Sequence, residues 1–482
     1  MISIVGTSLK KLRDDAREAT LSPDGSEIAF ENVASTEIWV MAADGSQAHS
    51  IIKADADSHL YFPVWLPNGK RLFYINERIT NGTHGLKIES RDLQGGNPVL
   101  LLDEPKLTDG TLDQPGRLVY ARSELPPNQY DSNLWELFYD PETGKPQGSP
   151  RQLTQWTGFS FSSASMTKDG KHLVFLNERL QSAVYLGELA SGGDELKTPD
   201  RLTLNEDLNW PGGWTRDGKI VLFYSNRDGN FSIYKQGMTE RSPQAIATGP
   251  EDKWEPQISP DGNWVVYLQW SKAADGTLSS GKLMRAPIAG GAPETIADIE
   301  GHPSLTDYAG STTGGFPSFR CPRASGDCVV AERRDNQIVF SSFDPVKGRK
   351  AELLKLPFNH VRTAWDLSPD GKRVAFSEFS YVKGEVSLLP LDGGAAQKIS
   401  QTQWTELLSV AWAADGKSLF AASFSSRGTA IVHLDFAGHG KQLFKPNWRI
   451  ETLEPSPDGK YLAFGPLISN SNVWTMGFFP PR

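Results

Sequence analysis

The sequence predicts an all-β protein built from about ten repeats of four short strands, the arrangement of a β-propeller. Three observations lead to this prediction: one phrase that recurs, its regular spacing, and the strand pattern around it. The clearest copy of the phrase is Leu367–Phe376, and the same wording stands at Leu21–Phe30, Ile258–Tyr267 and Pro455–Phe464. Repeats of this kind bury their apolar faces only against each other, so the repeat determines the architecture.

The spacing of the phrase agrees with propeller blades. Asp-Gly or a related pair marks each copy, near positions 24, 68, 115, 169, 217, 261, 326, 370, 415 and 458. The copies near 115 and 326 are degenerate. The first and last are 434 residues apart over nine intervals, and the resulting period of about 48 residues is close to that of known propeller repeats.

Each copy is surrounded by four predicted strands. Asp-Gly favours a tight turn because Gly accepts a positive φ and Asp binds its own backbone. Around the copy at 370, short β-type runs stand at Ala364–Leu367, Arg373–Phe376, Glu385–Leu389 and Gln397–Ser400. Four antiparallel strands joined by turns describe one blade. The alternative, a β-sandwich with irregular strands, fits the regular Asp-Gly spacing less well.

The chain ends suggest how a ring would close. The last repeat has a predicted third strand at Asn472–Met476, and Leu9–Arg13 is the candidate for its missing fourth strand. Joining the termini would remove exposed sheet edges, so we expect residues 1–482 to form one ring. The alternative is two smaller propellers, residues 1–300 and 301–482, divided near the Gly/Ser/Thr-rich stretch Gly310–Gly315.

Composition limits the classes of function. Hydrophobic residues make up 38 % and charged residues 22 % of the chain, as in ordinary globular proteins. The net charge is -9 and no basic cluster stands out, so we expect no binding to nucleic acid. No apolar run approaches about 18 residues, which predicts no membrane span. As written, the chain is predicted to be cytoplasmic; behind a missing N-terminal export segment it would be periplasmic.

Two cysteines flank the degenerate copy near 326. Cys321 and Cys328 stand seven positions apart, on either side of the expected turn. A disulfide across this hairpin is one interpretation, and it requires an oxidising compartment. Two buried thiols on adjacent strands are the other.

Catalytic motifs are absent from the sequence. We find no HExxH, no GxSxG, no Walker loop and no GxGxxG after a strand. We therefore predict no catalytic residue, no cofactor and no metal ligand. His59, His302 and His360 precede repeat anchors and could converge from different blades on a metal ion. Solvent-facing loop histidines are the simpler interpretation.

Aromatic residues near the repeat anchors give the candidate binding residues. Connections into the predicted innermost strands carry Tyr or Trp, and such rings offer a large rigid contact area to a protein, peptide or glycan at the axial face. The alternative is that each ring packs between neighbouring sheets. The candidate ligand-binding residues are Tyr61, Trp156, Trp210, Trp254, His360, Arg362, Trp404 and Trp448.

The repeats resemble those of the TolB-type, WD40-like propeller family, in which blades carry this Ser-Pro-Asp-Gly turn. Ser225–Tyr234 is similar to that family's hairpin between second and third strands. From about Phe319 onward, segments such as Phe343–Arg349 and Ser471–Trp474 resemble C-terminal propellers of acidobacterial winged-helix regulators and serine/threonine kinases. The first resemblance implies a propeller fold, and the second implies a sensing or protein-binding platform. Neither resemblance transfers a catalytic residue.

These observations favour a non-enzymatic module that binds a ligand or a protein. One form of this hypothesis is the sensory or scaffold part of a signalling protein without its output domain. Two alternatives stay open at this point. One is a propeller enzyme with an axial metal site, similar to a polysaccharide lyase. The other is the isolated propeller of a serine peptidase.

Overall fold

The structure is a computed structural model. It describes residues 11–55, 58–80, 83–125, 131–167, 169–272, 278–300, 316–334, 336–358, 362–378, 380, 383–401, 403–425 and 428–477. Within these ranges the chain forms 39 β-strands and one short 3₁₀ helix, Ser191–Gly193. None of the described helical residues forms a segment long and apolar enough to cross a membrane.

Backbone contacts divide the chain into two compact units. Unit 1 contains residues 1–179 and 471–482, and unit 2 contains residues 180–470. Eight of the nine sheets in the described chain have four antiparallel strands, and one has seven. The all-β, repeated four-stranded fold predicted from the sequence is confirmed.

Unit 1 contains three complete four-stranded sheets, each formed by consecutive strands. The strands of the first sheet are β1 (Ala16–Leu21), β2 (Glu27–Asn32), β3 (Glu37–Ala42) and β4 (His49–Lys53). Those of the second are β5 (Ser58–Trp65), β6 (Arg71–Thr80), β7 (Thr83–Asp92) and β8 (Val99–Asp103). Those of the third are β9 (Leu107–Gln114), β10 (Arg117–Ser123), β11 (Ser132–Tyr139) and β12 (Pro146–Gln152).

The seven-stranded sheet has parts in both units. Its strands are β13 (Ser160–Met166), β14 (His172–Gln181), β15 (Tyr185–Ala190), β16 (Glu195–Leu196), β17 (Asp200–Arg201), β38 (Arg449–Pro455) and β39 (Tyr461–Gly477). In unit 1, β13 pairs with β14, and β14 with the end of β39. In unit 2, the start of β39 lies between β38 and β15, and β17 and β16 pair with β15.

Unit 2 also contains five four-stranded sheets of consecutive strands. The first consists of β18 (Asn209–Trp214), β19 (Ile220–Asp228), β20 (Asn230–Gly237) and β21 (Gln244–Ala247). The second consists of β22 (Asp252–Ile258), β23 (Trp264–Lys272), β24 (Leu278–Pro287) and β25 (Glu294–Ile299). The next is β26 (Ser318–Arg320), β27 (Cys328–Arg334), β28 (Gln337–Asp344) and β29 (Gly348–Pro357). The last two are β30 (Thr363–Leu367), β31 (Arg373–Glu378), β32 (Gly384–Pro390) and β33 (Gln397–Gln401), and β34 (Leu407–Trp412), β35 (Ser418–Ser425), β36 (Gly428–Asp435) and β37 (Gly440–Phe444).

The recurring phrase forms the turn between the first and second strands of a sheet. In the copy at 370, the Ser368 hydroxyl donates to the Asp370 carboxylate at 2.6 Å and accepts the Arg373 backbone N–H at 2.9 Å. Gly371 follows with φ 72°, a conformation that favours glycine. These contacts hold the start of the second strand against the end of the first, so the short motif sets the register of the sheet.

The first strands carry a β-bulge that the sequence pattern did not reveal. Glu18, Phe62, Ser163 and Glu255 each stand six residues before the repeat Asp or Asn and have φ between 46° and 52°. The pairing register shifts at the same places. A bulge bends a strand and changes the direction of a side chain.

Hydrophobic clusters lie between neighbouring sheets. One cluster combines Ala375 and Val386 of the sheet β30–β33 with Val410, Trp412 and Val432 of the sheet β34–β37. Other clusters join sheets in the same way, within unit 1 as within unit 2. Each sheet therefore buries its apolar faces against its neighbours, as the repeat predicts.

The strand order of the last repeat differs from the prediction. We expected a hairpin and a third strand at Asn472–Met476, but β39 runs without a turn from Tyr461 to Gly477. The third strand beside the start of β39 is β15, with Tyr185 opposite Phe464. The physical reason is that β15 and then β14 pair with β39 along its length, so its backbone groups find partners without a reversal.

The expected pairing of the two chain ends is not seen in the described residues. Lys11–Arg13 belong to no strand, and Leu9 and Lys10 lie outside the described residues. The end of β39 lies beside β14, where the Ser471 hydroxyl donates to Glu178 at 3.3 Å. The boundary considered at 300/301 falls inside unit 2, and the number of propellers stays a prediction.

Cys321 and Cys328 form a disulfide between the end of β26 and the start of β27. The bond encloses a sequence separation of seven residues. Cys328 is buried, and both cysteines pack in the cluster between this sheet and the sheet β22–β25. The disulfide therefore fixes a hairpin in which the usual Asp-Gly turn is degenerate.

Replacing both cysteines with serine should lower the free energy of unfolding by about 2 kcal/mol, the loop-closure value for a loop of this length. The measurement is urea denaturation of the wild type and of the Cys321→Ser/Cys328→Ser variant. Wild-type protein in a reducing agent is the matched control and should unfold close to the variant. An unchanged urea midpoint in both would contradict the prediction.

Candidate functional site

The first strands of six sheets surround one cavity in unit 2, which we call the central cavity. Residues of β18, β22, β26, β30, β34 and β38 line it. Neighbouring first strands contact each other, and β38 also contacts β18. Between β26 and β30 the link includes a hydrogen bond from the Trp365 indole N–H to the Ser318 hydroxyl at 2.8 Å. The cavity is therefore built jointly by six repeats.

Indole groups repeat one hydrogen bond between neighbouring first strands. The Trp214 indole N–H donates to the carbonyl oxygen of Glu454 at 2.8 Å, and the Trp412 indole N–H donates to that of Asp366 at 3.3 Å. Both tryptophans stand three residues before the repeat Asp, and both acceptors stand four residues before it. Asp366 and Glu454 are thus fixed through their backbones at equivalent repeat positions, and Glu454 lines the cavity.

The central cavity is small. The space open to the centres of water molecules is about 30 Å³, and one water needs roughly 10–15 Å³ of such space. About two waters therefore fit. A larger ligand would have to stay at the mouth of the cavity and insert a single group.

Five charged residues form what we call the central charged cluster. They are Glu255, Arg320, Arg323, Asp366 and Glu454. The Arg320 guanidinium lies 3.3 Å from the Glu255 carboxylate and 3.5 Å from the Asp366 carboxylate. The Asp366 carboxylate also accepts the backbone N–H groups of Trp412 at 2.7 Å and Leu367 at 2.9 Å. Arg320 thus links Glu255 and Asp366 by direct contact, and Arg323 and Glu454 interact with this group through their charges.

Burial controls the protonation of the carboxyl groups in the cluster. It raises the pKa of Glu255 to about 7 and that of Glu454 to about 8. It also raises the pKa of Asp366. The Arg320 guanidinium opposes the shift at all three carboxyl groups, but less strongly than burial raises them. Two carboxyl groups of the cluster therefore change their charge near neutral pH.

The cluster has more acids than bases. Three carboxyl groups face two guanidinium groups, so one carboxylate lacks a counter-charge when all are ionised. Only 8 % of the Glu255 side chain and 20 % of the Arg320 side chain is exposed. A positively charged group that enters the cavity would pair with the surplus carboxylate, because buried charges require partners.

The predicted tryptophans of unit 2 lie between sheets. Trp254 contacts Phe231 of the preceding sheet with ring centroids 6.3 Å apart, and Trp448 contacts Phe444 of the preceding sheet at 5.9 Å. Trp404 packs in the cluster between the sheets of β30 and β34. Trp210 is fully buried against Gly465, where a β-carbon would approach its ring to 2.8 Å. These positions match the packing alternative, and a role in ligand binding stays a prediction.

The predicted aromatic residues of unit 1 have similar surroundings. Trp156 packs on Phe161 at 5.6 Å and on Trp474 at 5.9 Å. Tyr61 lies in β5 and stacks on His59 at 6.1 Å. Burial and the nearby Glu77 raise the pKa of Tyr61 above its ordinary value. Neither residue lines the central cavity of unit 2.

The two remaining candidates have different outcomes. Arg362 forms an ion pair with the fully buried Glu451 at 2.6 Å, so part of its charge is already matched within unit 2. His360 lies outside the described residues. Within the described ranges, no three His, Cys, Asp or Glu side chains come together as they would around a metal ion.

The central charged cluster was missed by the sequence reasoning. A signal existed: Asp366 and Glu454 are acidic residues at the same repeat position, four residues before the repeat Asp. Glu255 and Arg320 both stand six residues before their repeat marker. The bulge that redirects Glu255 and the convergence of four different repeats depend on tertiary structure.

Replacing Glu454 with glutamine should stabilise the protein at alkaline pH. The pKa of Glu454 is about 8 in the folded protein, whereas a glutamate in the unfolded chain has its ordinary pKa of 4.5. Wild-type stability therefore decreases between these pH values, and a glutamine at this position does not titrate. The advantage of Glu454→Gln should be larger at pH 8 than at pH 5 by about 1.4 kcal/mol or more, the equivalent of one pKa unit.

Urea denaturation at both pH values measures this difference. Glu385→Gln is the matched control, because Lys383 and Lys398 hold the pKa of Glu385 at about 2 and its loss should give no alkaline gain. Equal pH profiles of the wild type and Glu454→Gln would contradict the prediction.

Replacing Trp254 with alanine tests the packing alternative directly. Since its ring fills the space between two sheets, the truncation should lower the free energy of unfolding by about 3 kcal/mol. Leu204→Ala is the control, because 66 % of Leu204 is exposed and surface truncations usually change stability by less than about 0.5 kcal/mol. A stable Trp254→Ala protein would favour the ligand-binding interpretation instead.

Comparison with known proteins gives partial matches. No family model matches the chain. The Tol-Pal system protein TolB of Francisella tularensis is 24 % identical over 191 residues, which cover 37 % of this chain and 42 % of that protein. An uncharacterized protein of Agrobacterium fabrum is 28 % identical over 256 residues, covering 49 % of this chain and 75 % of that protein.

Among solved structures, a TolB-like protein of Agrobacterium tumefaciens matches 60 % of this chain and 99 % of its own chain, with 18 % identity and a TM-score of 0.45. The match to the Francisella protein spans less than half of that relative's length. The chain therefore has the repeated Ser-Pro-Asp-Gly turns and the succession of four-stranded antiparallel sheets of a TolB-like β-propeller, and part of its sequence is similar to TolB proteins.

Proposed function

We propose that this chain is a protein-binding module whose partner places one positively charged group at the central cavity of unit 2. The observation that carries the proposal is the central charged cluster of three carboxyl and two guanidinium groups, of which Glu255, Arg320 and Glu454 line the cavity. The group is a lysine or arginine side chain or a free amino terminus.

The size of the cavity supports a single inserted group. Room for about two waters admits an ammonium group in their place, but not a whole metabolite. The remaining contact would then be made by the surrounding surface of the propeller and an extended partner segment. This geometry favours a peptide or protein over a small free ligand.

The electrostatics support a cation. The pKa values of Glu255 and Glu454 are raised because burial destabilises their ionised forms more than the nearby arginine charge stabilises them. A bound cation would favour the ionised carboxylates and release protons, so its binding should tighten as the pH rises.

The name of the Francisella relative, a Tol-Pal system protein, describes a protein that works in a system with others. We extend to this chain only the general expectation of a protein partner. The proposal includes a sensory or scaffold role. The role is sensory if the bound partner passes on a signal, and it is a scaffold role if the bound partner assembles with other proteins.

Peptide binding tests the proposal. Fluorescence anisotropy would be measured with two labelled pools of ten-residue peptides, one carrying a central lysine and one a central glutamate in otherwise matched random sequences. The lysine pool should bind more tightly, and its affinity should increase from pH 6 to pH 8.5. Glu255→Gln should weaken binding by roughly tenfold, equivalent to about 1.4 kcal/mol.

Glu385→Gln removes one acidic residue that already pairs with Lys383 and Lys398 on an outer part of a sheet. Glu385→Gln changes the net charge by the same amount as Glu255→Gln but leaves the cavity intact. Its affinity for the lysine pool should therefore match that of the wild type. Equal binding of both pools, or an equal loss in both variants, would overturn the proposal.

A further inference from the structure

Three polar side chains of unit 2 form a continuous hydrogen-bonded chain, and none of them lines the central cavity. The Nδ1 atom of His433 lies 2.8 Å from the Asp194 carboxylate, and its Nε2 atom lies 2.7 Å from the Ser418 hydroxyl. Asp194 follows the short helix after β15, whereas Ser418 and His433 lie on the neighbouring strands β35 and β36. The chain of contacts therefore connects two sheets.

The hydrogen-bond partners determine the state of the imidazole. An ionised carboxylate only accepts hydrogen bonds, so neutral His433 carries its proton on Nδ1, toward Asp194. Nε2 then has a free lone pair and accepts the Ser418 O–H. This is the order of carboxylate, base and hydroxyl that activates a serine as a nucleophile.

The ring of His433 is also in contact with Phe420 and close to Gly193. It stacks on Phe420 with ring centroids 5.1 Å apart and an angle of 23° between the planes. Gly193 lies against the ring, where an added β-carbon would approach Cε1 to 3.6 Å. Gly192 and Gly193 have φ values of 73° and 96°, which let the turn bring Asp194 back to the ring. The base is therefore fixed in position.

This repeat departs from the others at the residues involved. In six repeats the residue two positions before the repeat Asp is Ser or Thr. Its hydroxyl accepts a hydrogen bond from the backbone N–H of the residue three positions after that Asp. In the repeat at 415, Ala413 stands two positions before the repeat Asp, where those six repeats have the hydroxyl. Ser418 stands three positions after that Asp. The turn thus loses its usual hydroxyl, and a hydroxyl appears instead beside His433.

We propose that Ser418, His433 and Asp194 form an acyl-transfer site that cleaves small carboxylic esters. The Ser418 oxygen would bond to the ester carbonyl carbon while its proton moves to Nε2 of His433. The carbon–oxygen bond to the leaving alcohol then breaks, and the alcohol takes that proton. Water, activated in the same way, releases the acid and restores Ser418. Asp194 is a positioning residue that holds the imidazole.

Exposure determines the class of substrate. The Asp194 side chain is 52 % exposed and that of His433 is 15 % exposed, and Ser418 is half-buried. A short acyl group on a good leaving group reaches such a surface site, whereas a long chain would find no enclosure there. The inference goes beyond the binding role proposed above and departs from the expectation of a non-enzymatic protein.

A serine-directed fluorophosphonate and 4-nitrophenyl acetate test the site in the full chain. We expect the fluorophosphonate to label the peptide that contains Ser418, as read by mass spectrometry, and Ser418→Ala to abolish both the label and ester hydrolysis. His433→Gln should slow labelling by about 100-fold or more, the usual contribution of a general base. Asp194→Asn should also slow it, through loss of the correct tautomer.

His439→Gln is the matched control. His439 lies 2.8 Å from the Asp435 carboxylate, but within the described chain its ring is not hydrogen-bonded to a serine, so the labelling rate should not change. If circular dichroism shows that His433→Gln does not fold, Asp194→Asn is used for the test instead, because the Asp194 side chain is half-exposed. Labelling of Ser418 no faster than that of other serines, or equally fast in Asp194→Asn, would overturn the proposal and leave His433 as a link between sheets.

Discussion

The indole hydrogen bond between neighbouring first strands is the interaction on which the arrangement of unit 2 depends. Each four-stranded sheet has two apolar faces and requires a neighbour on both. Trp214 and Trp412 meet this requirement with their rings, and their N–H groups select one backbone carbonyl on the next strand. Trp65 makes the same bond to Thr20 in unit 1 at 3.3 Å. In unit 2 the accepting residues are Glu454 and Asp366, so the contact that aligns the sheets also places two carboxyl groups of the cluster.

The central charged cluster is costly for folding. Removing carboxylates and guanidinium groups from water is unfavourable unless they pair fully, and burial raises the pKa of Glu255 and of Glu454 more than the nearby Arg320 lowers it. An apolar lining would pack at lower cost. Strongly perturbed ionisable groups concentrate at functional sites, which supports the cavity as the place where a partner binds.

A departure from the repeat coincides with the site proposed at Ser418. The consensus turn uses its hydroxyl to hold the second strand, as Ser368 does. Where Ala413 removes that hydroxyl, Ser418 provides one that contacts His433 instead. Local rules are most often broken where a protein acts, and in a repeat protein the intact copies serve as internal references.

The all-β class, the four-stranded repeat and the turn at each Asp-Gly could be predicted from the residues alone. These features depend on short-range chemistry: Gly at positive φ, Asp and Ser binding nearby backbone, and alternation of strands and turns. The sequence also singled out the aromatic residues, without deciding between binding and packing. Tertiary structure decided the rest. β39 runs straight past the expected hairpin because β15 and β14 pair with it, and those strands are more than 270 residues away in sequence. Glu255, Arg320, Asp366 and Glu454 meet only when separate repeats converge, and Asp194 reaches His433 only across two sheets. The repeat positions of these residues can be found in the sequence, but which of them come into contact depends on how distant repeats pack, so only the folded structure reveals the contacts.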